Sequence, residues 1–280
     1  MEVGQSNKVI AIVQARMQST RLPGKVLMPM PLTSETSILE QIVNQLRKSK
    51  FQPTVIVATS INNADDAIAS LCLSKNIEVY RGDEKDVHSR FFEILHNSDY
   101  RTTIRVTGDN PLIDVECLDN VIENHIKTLS DYSFTIDLPM GMNFEVFDVR
   151  AFHRMSRQDL SVQDKEHVTL RFKSYDNFSK NLIKMSSGLK QQLRLTIDYP
   201  SDYLLLSALF DLSMQYNIEP GMKLIDFVLS NNPWLFQVNE SNFQKKQFRS
   251  LDEEIAYATQ LLNDLDLKKS AQYLSNYARV

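Results

Sequence analysis

The chain has 280 residues, of which 42% are hydrophobic and 24% charged, and its formal net charge at pH 7 is −4. This length allows one large domain, or one domain with an appended lobe. The acidic balance argues against a nucleic-acid partner, and no apolar run approaches the roughly 20 residues of a membrane span, so no membrane partner is expected.

The two cysteines, Cys72 and Cys117, each lie within an apolar helical pattern, and they are predicted to be buried free thiols. The first residues show no basic segment followed by an apolar one, so no secretory signal is predicted. A cytoplasmic location in a reducing compartment is the resulting expectation.

The first predicted element is a buried strand, Val9–Val13. It runs directly into Ala15–Lys25, which we call the basic loop and which holds three cations, two hydroxyl side chains and one glycine. Guanidinium groups bind phosphate oxygens in pairs, an ammonium adds a point charge, and N–H groups in a turn add donors. The spacing matches neither a P-loop nor a G-x-G-x-x-G turn. The basic loop therefore predicts a polyphosphate site, with a solvated surface loop as the alternative.

Strand-like and helix-like segments alternate from the basic loop to about residue 130. The further strands are predicted at Thr54–Thr59, Ile77–Tyr80 and Thr103–Thr107, and the helices begin near Thr36, Asn63 or Asp65, Asp86 and Asp114. This alternation predicts an α/β fold with a parallel sheet and helices on both faces. Ligands of such sheets bind at the carboxyl ends of the strands, where both the basic loop and the turn at Gly108–Pro111 are expected.

The alternation stops between about residues 132 and 192, which we interpret as an inserted lobe containing β-strands. The predicted strands of this lobe are Tyr132–Thr135, Glu145–Val149 and Leu182–Met185, and the predicted helix is Asp164–Ser174. The lobe would cover the site and pair subunits in a homodimer. The main domain is predicted to span residues 1–215, with Leu193–Asp198 returning to the sheet as a strand. Residues 216–280 are predicted to form a helical C-terminal extension.

An aspartate follows the strand that ends at Thr107. Asp109 lies in a strong turn signal, Thr107–Pro111. Mg²⁺ takes carboxylate oxygens together with substrate phosphates, so Asp109 is a candidate metal ligand. The alternative is an Asx-turn, in which this side chain bonds to its own backbone.

The basic loop resembles the A-R-M-x-S-T-R-L-P-G-K signature of the SpsF-type cytidylyltransferases, which are similar to CMP-KDO and CMP-sialic acid synthetases. Five further elements resemble family motifs in the same order: Arg81–Arg90, Thr107–Pro111, Pro139–Phe147, Lys165–Thr169 and Leu195–Asp202. The resemblance covers most of residues 8–210. The chain departs from the family pattern at Gln18, His88, Asn143 and Lys165.

The resemblance implies a three-layer fold of the nucleotide-diphospho-sugar transferase type. It also implies an Mg²⁺-dependent transfer of a cytidylyl group from CTP to a small sugar-type acceptor such as a sugar acid, with release of pyrophosphate. The implied nucleotide-binding residues are Ala11, Gln14, Ala15, Arg16, Ser19, Arg21, Lys25, Arg81 and Arg105; the acceptor-binding residues are Gly141, Asn143, Glu145 and His167; the Mg²⁺ ligands are Asp109 and Asp198; and the catalytic residues are Arg16, Lys25 and Asp109.

Several of these residues also have a plain structural interpretation. Asp198 precedes a proline-led helix and could be its N-cap, while Arg105 and Glu145 could lie on a strand surface. His167 could be a partly buried helix residue without a ligand. Three functional alternatives also stay open: another nucleotide or a phosphorylated acceptor giving a CDP-linked product, a glycosyltransferase, and a non-catalytic nucleotide-binding subunit suggested by Gln18 and Asn143.

Overall fold

The computed structural model describes residues 8–185, 192–242 and 250–277. The chain divides into two compact units, Met1–Ser241 and Asn242–Val280. The described strands all belong to the first unit: β1 Val9–Gln14, β2 Thr54–Ser60, β3 Glu78–Gly82, β4 Thr102–Thr107, β5 Tyr132–Ile136, β6 Glu145–Asp148 and β7 Lys180–Lys184. They form one seven-stranded sheet in the order β3-β2-β1-β4-β6-β5-β7.

The described helices of the first unit pack around this sheet. Their bounds are α1 Ile38–Leu46, α2 Asp66–Ser74, α3 Val87–Leu95, α4 Val115–Thr128, α5 Val149–Ser156, α6 Val162–His167, α7 Leu170–Ser174, α8 Pro200–Tyr216 and α9 Met222–Asn231. The second unit holds α10 Leu251–Asp264 and α11 Lys268–Tyr277, which pack against each other. Among the described residues, no helix combines the length and the apolar character that a membrane crossing needs.

The predicted α/β class with a mostly parallel sheet is confirmed. β1 pairs in parallel with both β2 and β4, β3 extends β2 in parallel, and β6 is antiparallel to both of its neighbours. Successive side chains of a strand point to opposite faces of the sheet. Accordingly, Ala11 and Val13 of β1 pack in one apolar cluster, and Ile10 and Ile12 pack in another. This arrangement gives three layers, and β1 lies inside the sheet between β2 and β4.

Side-chain caps begin the helices where the sequence predicts them. Ser37 and Glu40 form a capping box at the start of α1, with a Glu40 N to Ser37 Oγ distance of 3.2 Å and a Ser37 N to Glu40 Oε2 distance of 2.8 Å. Asp114 caps α4 by accepting a hydrogen bond of 2.8 Å from the backbone N–H of Cys117. Both cysteines are buried free thiols, as predicted.

The strands predicted for the inserted lobe form, and they extend the main sheet. β6 pairs with β4 along the register Thr103↔Phe147, and β5 and β7 follow beyond it. The predicted helix 164–174 is divided in two. Val168 separates α6 from α7 and has a φ of 57°, which interrupts helical hydrogen bonding. An α-helix cannot continue through a residue in this conformation.

Two other predictions are corrected. Leu193–Asp198 forms no strand in the part of the chain that the structure describes; a single bridge joins Arg194 to Met140. The boundary predicted after residue 215 falls inside the first compact unit, which continues to Ser241. The reason is that α9 buries Leu224 and Val228 in the core of that unit.

Candidate active site

The basic loop leaves the carboxyl end of β1 and is closed by local hydrogen bonds. Gly24 has a φ of 72°, and its N–H donates to the Met17 carbonyl at 2.9 Å. This left-handed conformation suits a residue without a Cβ. The backbone N–H of Met17 donates to Asp65 Oδ1 at 2.7 Å, and Asp65 is buried. The sequence indicates Asp65 only as a helix cap, so its hydrogen bond to the basic loop was not predicted.

The cations of the basic loop face different surroundings. Arg16 is exposed and forms no ion pair with any residue in the described ranges. The guanidinium of Arg21 lies 3.0 Å from Asp198 Oδ1 and 4.9 Å from the centre of the Tyr199 ring. Ser19 is half-buried and accepts a long hydrogen bond of 3.5 Å from the Leu22 N–H. Arg16 is therefore the loop cation with a charge available to an incoming anion.

The third cation, Lys25, lies buried between the two predicted metal ligands. Its Nζ is 3.0 Å from Asp109 Oδ2 and 3.1 Å from Asp198 Oδ1. It also donates to the carbonyl oxygen of Ile197. An ammonium group has three N–H donors, so these three oxygens satisfy it completely. The structure thus brings Lys25, Asp109 and Asp198 together, as the resemblance implies.

Asp198 is surrounded by positive charge. Arg194 Nη2 donates to Asp198 Oδ2 at 2.8 Å, opposite the oxygen that Lys25 and Arg21 contact. Burial on its own raises the pKa of the Asp198 carboxyl, but these three cations outweigh burial and hold that pKa below its ordinary value. Asp198 is therefore a carboxylate at neutral pH.

Asp109 is held by the turn that follows β4. Thr107 Oγ1 donates to Asp109 Oδ1 at 2.6 Å, and Lys25 contacts the other oxygen. The Asp109 carbonyl accepts a hydrogen bond of 2.9 Å from the Ile197 N–H, which ties the two acidic segments together. The side chain of Asp109 is 30% exposed, against 16% for Asp198. Asp109 is thus the more accessible of the two carboxylates.

A fully buried carboxylate, Asp202, shapes the turn that carries Asp198. It accepts hydrogen bonds from the backbone N–H groups of Asp198 and Tyr199, each at 2.9 Å. It also accepts from Arg194 Nε at 2.9 Å and from Asn239 Nδ2 at 2.8 Å. Asp202 therefore caps the first turn of α8. Arg194 and Asn239 were not predicted; the one available signal was a charge, Arg194, inside an otherwise apolar segment.

Asp109 and Asp198 fit a divalent cation. Their oxygens already converge on one positively charged atom, and hard cations prefer carboxylate oxygens. The described residues contain no cluster of three or more His, Cys, Asp or Glu side chains that could hold a metal ion. A metal bound here would therefore complete its coordination with phosphate oxygens and water, as Mg²⁺ commonly does.

A cleft of about 510 Å³ adjoins the Asp109 turn. Among its lining residues are Arg105, Asn110, Gly141, Asn143, Glu145 and Lys173. Three of the four predicted acceptor residues thus line one cavity. The fourth, His167, ends α6 and does not line this cleft. Its carbonyl accepts a hydrogen bond of 2.5 Å from the Thr169 N–H.

The carboxylate of Glu145 contacts four side chains in and around the wall of the cleft. This carboxylate accepts hydrogen bonds from Arg105 Nη1 at 2.5 Å, Tyr132 OH at 2.6 Å and Thr169 Oγ1 at 2.9 Å, and Lys173 Nζ lies at 2.5 Å. Burial raises the pKa of Glu145, but Arg105 and Lys173 together lower it well below the ordinary value. The predicted hydrogen bonds to acceptor hydroxyls would have to compete with these donors, so Glu145 mainly positions the two cations. Lys173, Tyr132 and Thr169 were not predicted.

Three predicted nucleotide-binding residues, Ala11, Gln14 and Ala15, contact other protein groups rather than an open site. Ala11 is fully buried in the middle of β1, with its backbone in the sheet ladder, so the structure contradicts a contact between Ala11 and a nucleotide. The backbone N–H of Ala15 donates to the Ala58 carbonyl at 3.2 Å. Gln14 Oε1 accepts from Arg105 Nε at 3.2 Å and so orients that guanidinium. Ala11 and Ala15 therefore act through backbone geometry.

Arg81, which the resemblance implies as a nucleotide contact, already bonds to protein groups. Arg81 Nε donates to the Ser60 carbonyl at 2.9 Å, and its Nη2 lies 2.7 Å from Asp66 Oδ1. These contacts fasten the end of β3 to the segment after β2. The adjacent Arg90 is buried and donates to the Asp83 carbonyl at 2.6 Å. Both arginines therefore support the loops at this edge of the sheet.

Gly141 and Asn143 lie between β5 and β6, and both line the cleft. Gly141 has a φ of 96°, and a Cβ at this position would lie 2.4 Å from the Leu195 carbonyl oxygen. Asn143 is exposed, and its Oδ1 accepts a hydrogen bond of 3.3 Å from Thr135 Oγ1. Gly141 thus permits the close packing that holds the Asp198 segment, whereas Asn143 presents an amide to the cleft.

Comparisons with known proteins show what the chain is similar to. A sequence model of a family described as cytidylyltransferase matches residues 10–223. The chain is 34% identical over 234 residues to the spore coat polysaccharide biosynthesis protein SpsF of Bacillus subtilis strain 168, covering 81% of this chain and 96% of that protein.

Solved structures show the same likeness. A cytidylyltransferase from Leptospira borgpetersenii serovar Hardjo-bovis (strain JB197) superposes with a TM-score of 0.75 at 26% identity, covering 86% of this chain and 99% of that one. A CMP:2-keto-3-deoxy-manno-octonic acid synthetase complexed with CTP gives a TM-score of 0.54 at 14% identity, covering 75% and 99% of the two chains. At that identity, the second likeness concerns the fold alone.

Proposed function

The chain belongs to the cytidylyltransferase family and is a nucleotidyltransferase, and we propose that it transfers the cytidylyl group of CTP to a sugar acid, with Mg²⁺ as cofactor. The products would be a CMP-linked sugar and pyrophosphate. The observation that carries this proposal is the convergence of Asp109 and Asp198 on the Lys25 ammonium beside the basic loop.

The basic loop would bind the triphosphate. Arg16 is exposed and forms no ion pair with the described residues, so its guanidinium can bind two phosphate oxygens at once. Lys25 would hold the two carboxylates together before the nucleotide arrives and add positive charge for the departing pyrophosphate. Bound Mg²⁺ would screen the phosphate charge during attack at the α-phosphorus. The protein's part is thus mainly positioning and charge stabilisation.

The acceptor would occupy the cleft of about 510 Å³. Arg105 and Lys173 place two positive charges on its wall, and Glu145 balances one of them. The fourth charged lining residue, Asp137, is paired with Lys184 at 3.7 Å. The four charged lining residues sum to zero, but with Lys184 counted beside its partner Asp137 the wall and its margin carry one net positive charge, which suits the carboxylate of a sugar acid. In line with the family resemblance, we also propose that the enzyme is a cytoplasmic homodimer.

The test is pyrophosphate release from CTP, UTP, GTP and ATP with Mg²⁺ and a panel of sugar acids. We expect release with CTP that depends on the acceptor, and a loss of at least 100-fold in the variant Asp109→Asn. Release that favours another nucleotide by 10-fold or more would contradict the cytidylyl assignment. Binding of a nucleotide without pyrophosphate release for any acceptor would favour a non-catalytic nucleotide-binding subunit.

The same two cations also favour a second candidate acceptor, a sugar phosphate. Arginine and lysine bind phosphate as readily as carboxylate. The mass of the product distinguishes the two acceptors, because a phosphorylated acceptor gives a CDP-linked product and a sugar acid gives a CMP-linked one.

A further inference from the structure

A second cavity, of about 380 Å³, lies at the amino-terminal ends of β1 and β4, whereas the candidate active site lies at their carboxyl ends. Its lining includes Lys8 and Arg101, which directly precede β1 and β4. The basic loop and the Asp109 turn leave the other ends of these strands. A strand of six residues is about 20 Å long. A ligand in this second cavity would therefore not touch the residues proposed for cytidylyl transfer.

The lining of the second cavity carries more positive than negative charge. Lys8, Arg101 and Arg150 contribute three cations, and Asp99 contributes the one carboxylate of the lining. Asp99 is already engaged by the ammonium of Lys8. Since the whole chain has a net charge of −4, this is a local excess of positive charge on an acidic protein.

The two arginines of the second cavity are poorly satisfied. The closest carboxylate to Arg101 is Asp148, whose Oδ2 lies 3.7 Å from Nη2, and the buried Nε of Arg101 has no hydrogen-bond partner among the described residues. The other oxygen of Asp148 caps α5 by accepting from the Ala151 N–H at 2.9 Å. Arg150 is exposed and forms no ion pair within the described ranges. The two guanidinium groups thus have one carboxylate at 3.7 Å between them, which leaves their terminal nitrogens available to an external anion.

Two further polar groups around the second cavity are His153 and Tyr100. His153 lines it, and burial together with the charges of His96 and Arg157 lowers the pKa of His153. Tyr100 also lines the cavity and presents a phenolic hydroxyl that can donate a hydrogen bond. The wall therefore offers two guanidinium groups and a hydroxyl, with one carboxylate already neutralised.

We propose that this second cavity binds the phosphate group of a small molecule through Arg101 and Arg150. Guanidinium groups match phosphate oxygens in bidentate geometry. The volume of about 380 Å³ lies at the small end of the range typical of ligand pockets. The phosphate could be the free ion or part of a phosphate ester. The distance from the basic loop makes this a site separate from the nucleotide site, so it does not depend on the proposed reaction.

The experiment is calorimetric titration of the full chain with inorganic phosphate and, separately, with ribose 5-phosphate. The variants are Arg150→Gln, Arg16→Gln in the basic loop, and the control Arg154→Gln. Arg154 lies on the same helix α5, outside the cavity lining, and pairs with Asp131 at 2.5 Å, so the control removes the same charge nearby.

We expect phosphate binding at the second cavity to weaken at least 10-fold in Arg150→Gln and less than two-fold in Arg154→Gln, whereas Arg16→Gln removes any binding at the basic loop and leaves the binding at the second cavity in place. A tighter ribose 5-phosphate complex identifies an ester as the ligand, and equal affinities identify the free ion; both support the site. Binding lost in Arg16→Gln and kept in Arg150→Gln would place the phosphate at the basic loop and overturn the proposal. Absence of binding at 10 mM phosphate would overturn it too, whatever the outcome for cytidylyl transfer.

Discussion

Asp109 and Asp198 contact the same ammonium nitrogen, at 3.0 and 3.1 Å, although they lie in separate segments of the chain. The turn after β4 delivers the first carboxylate, and the turn before α8 delivers the second. A hydrogen bond of 2.9 Å from the Ile197 N–H to the Asp109 carbonyl fixes the two turns together. The site is therefore assembled by backbone contacts as well as by charge.

The first prediction concerns Lys25. Replacing it in Lys25→Met leaves Asp109 and Asp198 close together without their shared cation. Arg21 and Arg194 still neutralise Asp198, so we expect a loss of about 1–3 kcal/mol in the free energy of unfolding, less than for a fully unpaired buried charge. Urea unfolding measures this loss, and kcat should fall at least 100-fold. Unchanged stability and activity would show that the lysine bridge has no role.

The second prediction concerns Glu145. The variant Glu145→Leu removes the acceptor of four donors, so Arg105 and Lys173 lose their fixed positions. We expect KM for the acceptor substrate to rise at least 10-fold while KM for CTP changes less than three-fold. The matched variant Thr169→Val removes one of the four donors and should have a smaller effect. Steady-state kinetics with each substrate varied in turn provides the measurement; equal changes in both KM values would contradict the assignment.

The third prediction compares two glycines with positive φ. Gly24→Ala meets an ordinary contact, 3.4 Å from Met17 Cε, so only backbone strain of about 1–2 kcal/mol is expected. Gly141→Ala would place a Cβ 2.4 Å from the Leu195 carbonyl oxygen and must displace the segment that carries Asp198. We therefore expect a larger loss of stability and of kcat in Gly141→Ala, measured by thermal unfolding and turnover. Equal effects of the two substitutions would be inconsistent with this packing.

The fourth prediction concerns stability in acid. His88 and His125 are buried, and burial lowers the pKa of each to about 4 from 6.5. The unfolded chain therefore binds more protons than the folded chain between these values, so stability is fully present above pH 6.5 and falls as the pH approaches 4. We expect a loss of about 2 kcal/mol per histidine by pH 5.

Urea unfolding at pH 7.5, 6 and 5 measures this dependence. The variant His125→Asn should show a shallower decline than the parent chain, because one of the two groups is gone. His125 Nδ1 lies 2.8 Å from Ser133 Oγ, so this variant also loses some stability at neutral pH. Stability that stays constant between pH 7.5 and 5 would contradict the burial of neutral histidines.

The central part of the site could be predicted from sequence because it lies in contiguous motifs. The basic loop, Asp109 and Asp198 each follow or precede a recognisable strand or helix signal. The partners Asp65 and Asn239 could not be predicted, because they act through contacts between distant segments. Hydrophobic periodicity identifies an element but not its neighbours.

The differences in fold have the same origin. Alternating residues predict the strand Glu145–Val149, but the sequence does not show that β6 pairs with β4 in the main sheet. The apolar segment Leu193–Asp198 has the composition of a strand, yet its backbone bonds go to the Met140 and Asp109 segments. Valine rarely adopts a positive φ, so the break at Val168 between α6 and α7 had no sequence signal.

The most direct test of the central claim is the structure of the protein with Mn²⁺ and a non-hydrolysable CTP analogue, with the metal located by its anomalous scattering. We predict one metal peak in contact with the carboxylates of both Asp109 and Asp198 and with a phosphate oxygen, beside Arg16 of the basic loop. A metal and nucleotide bound elsewhere, or a metal that contacts neither aspartate, would contradict the account.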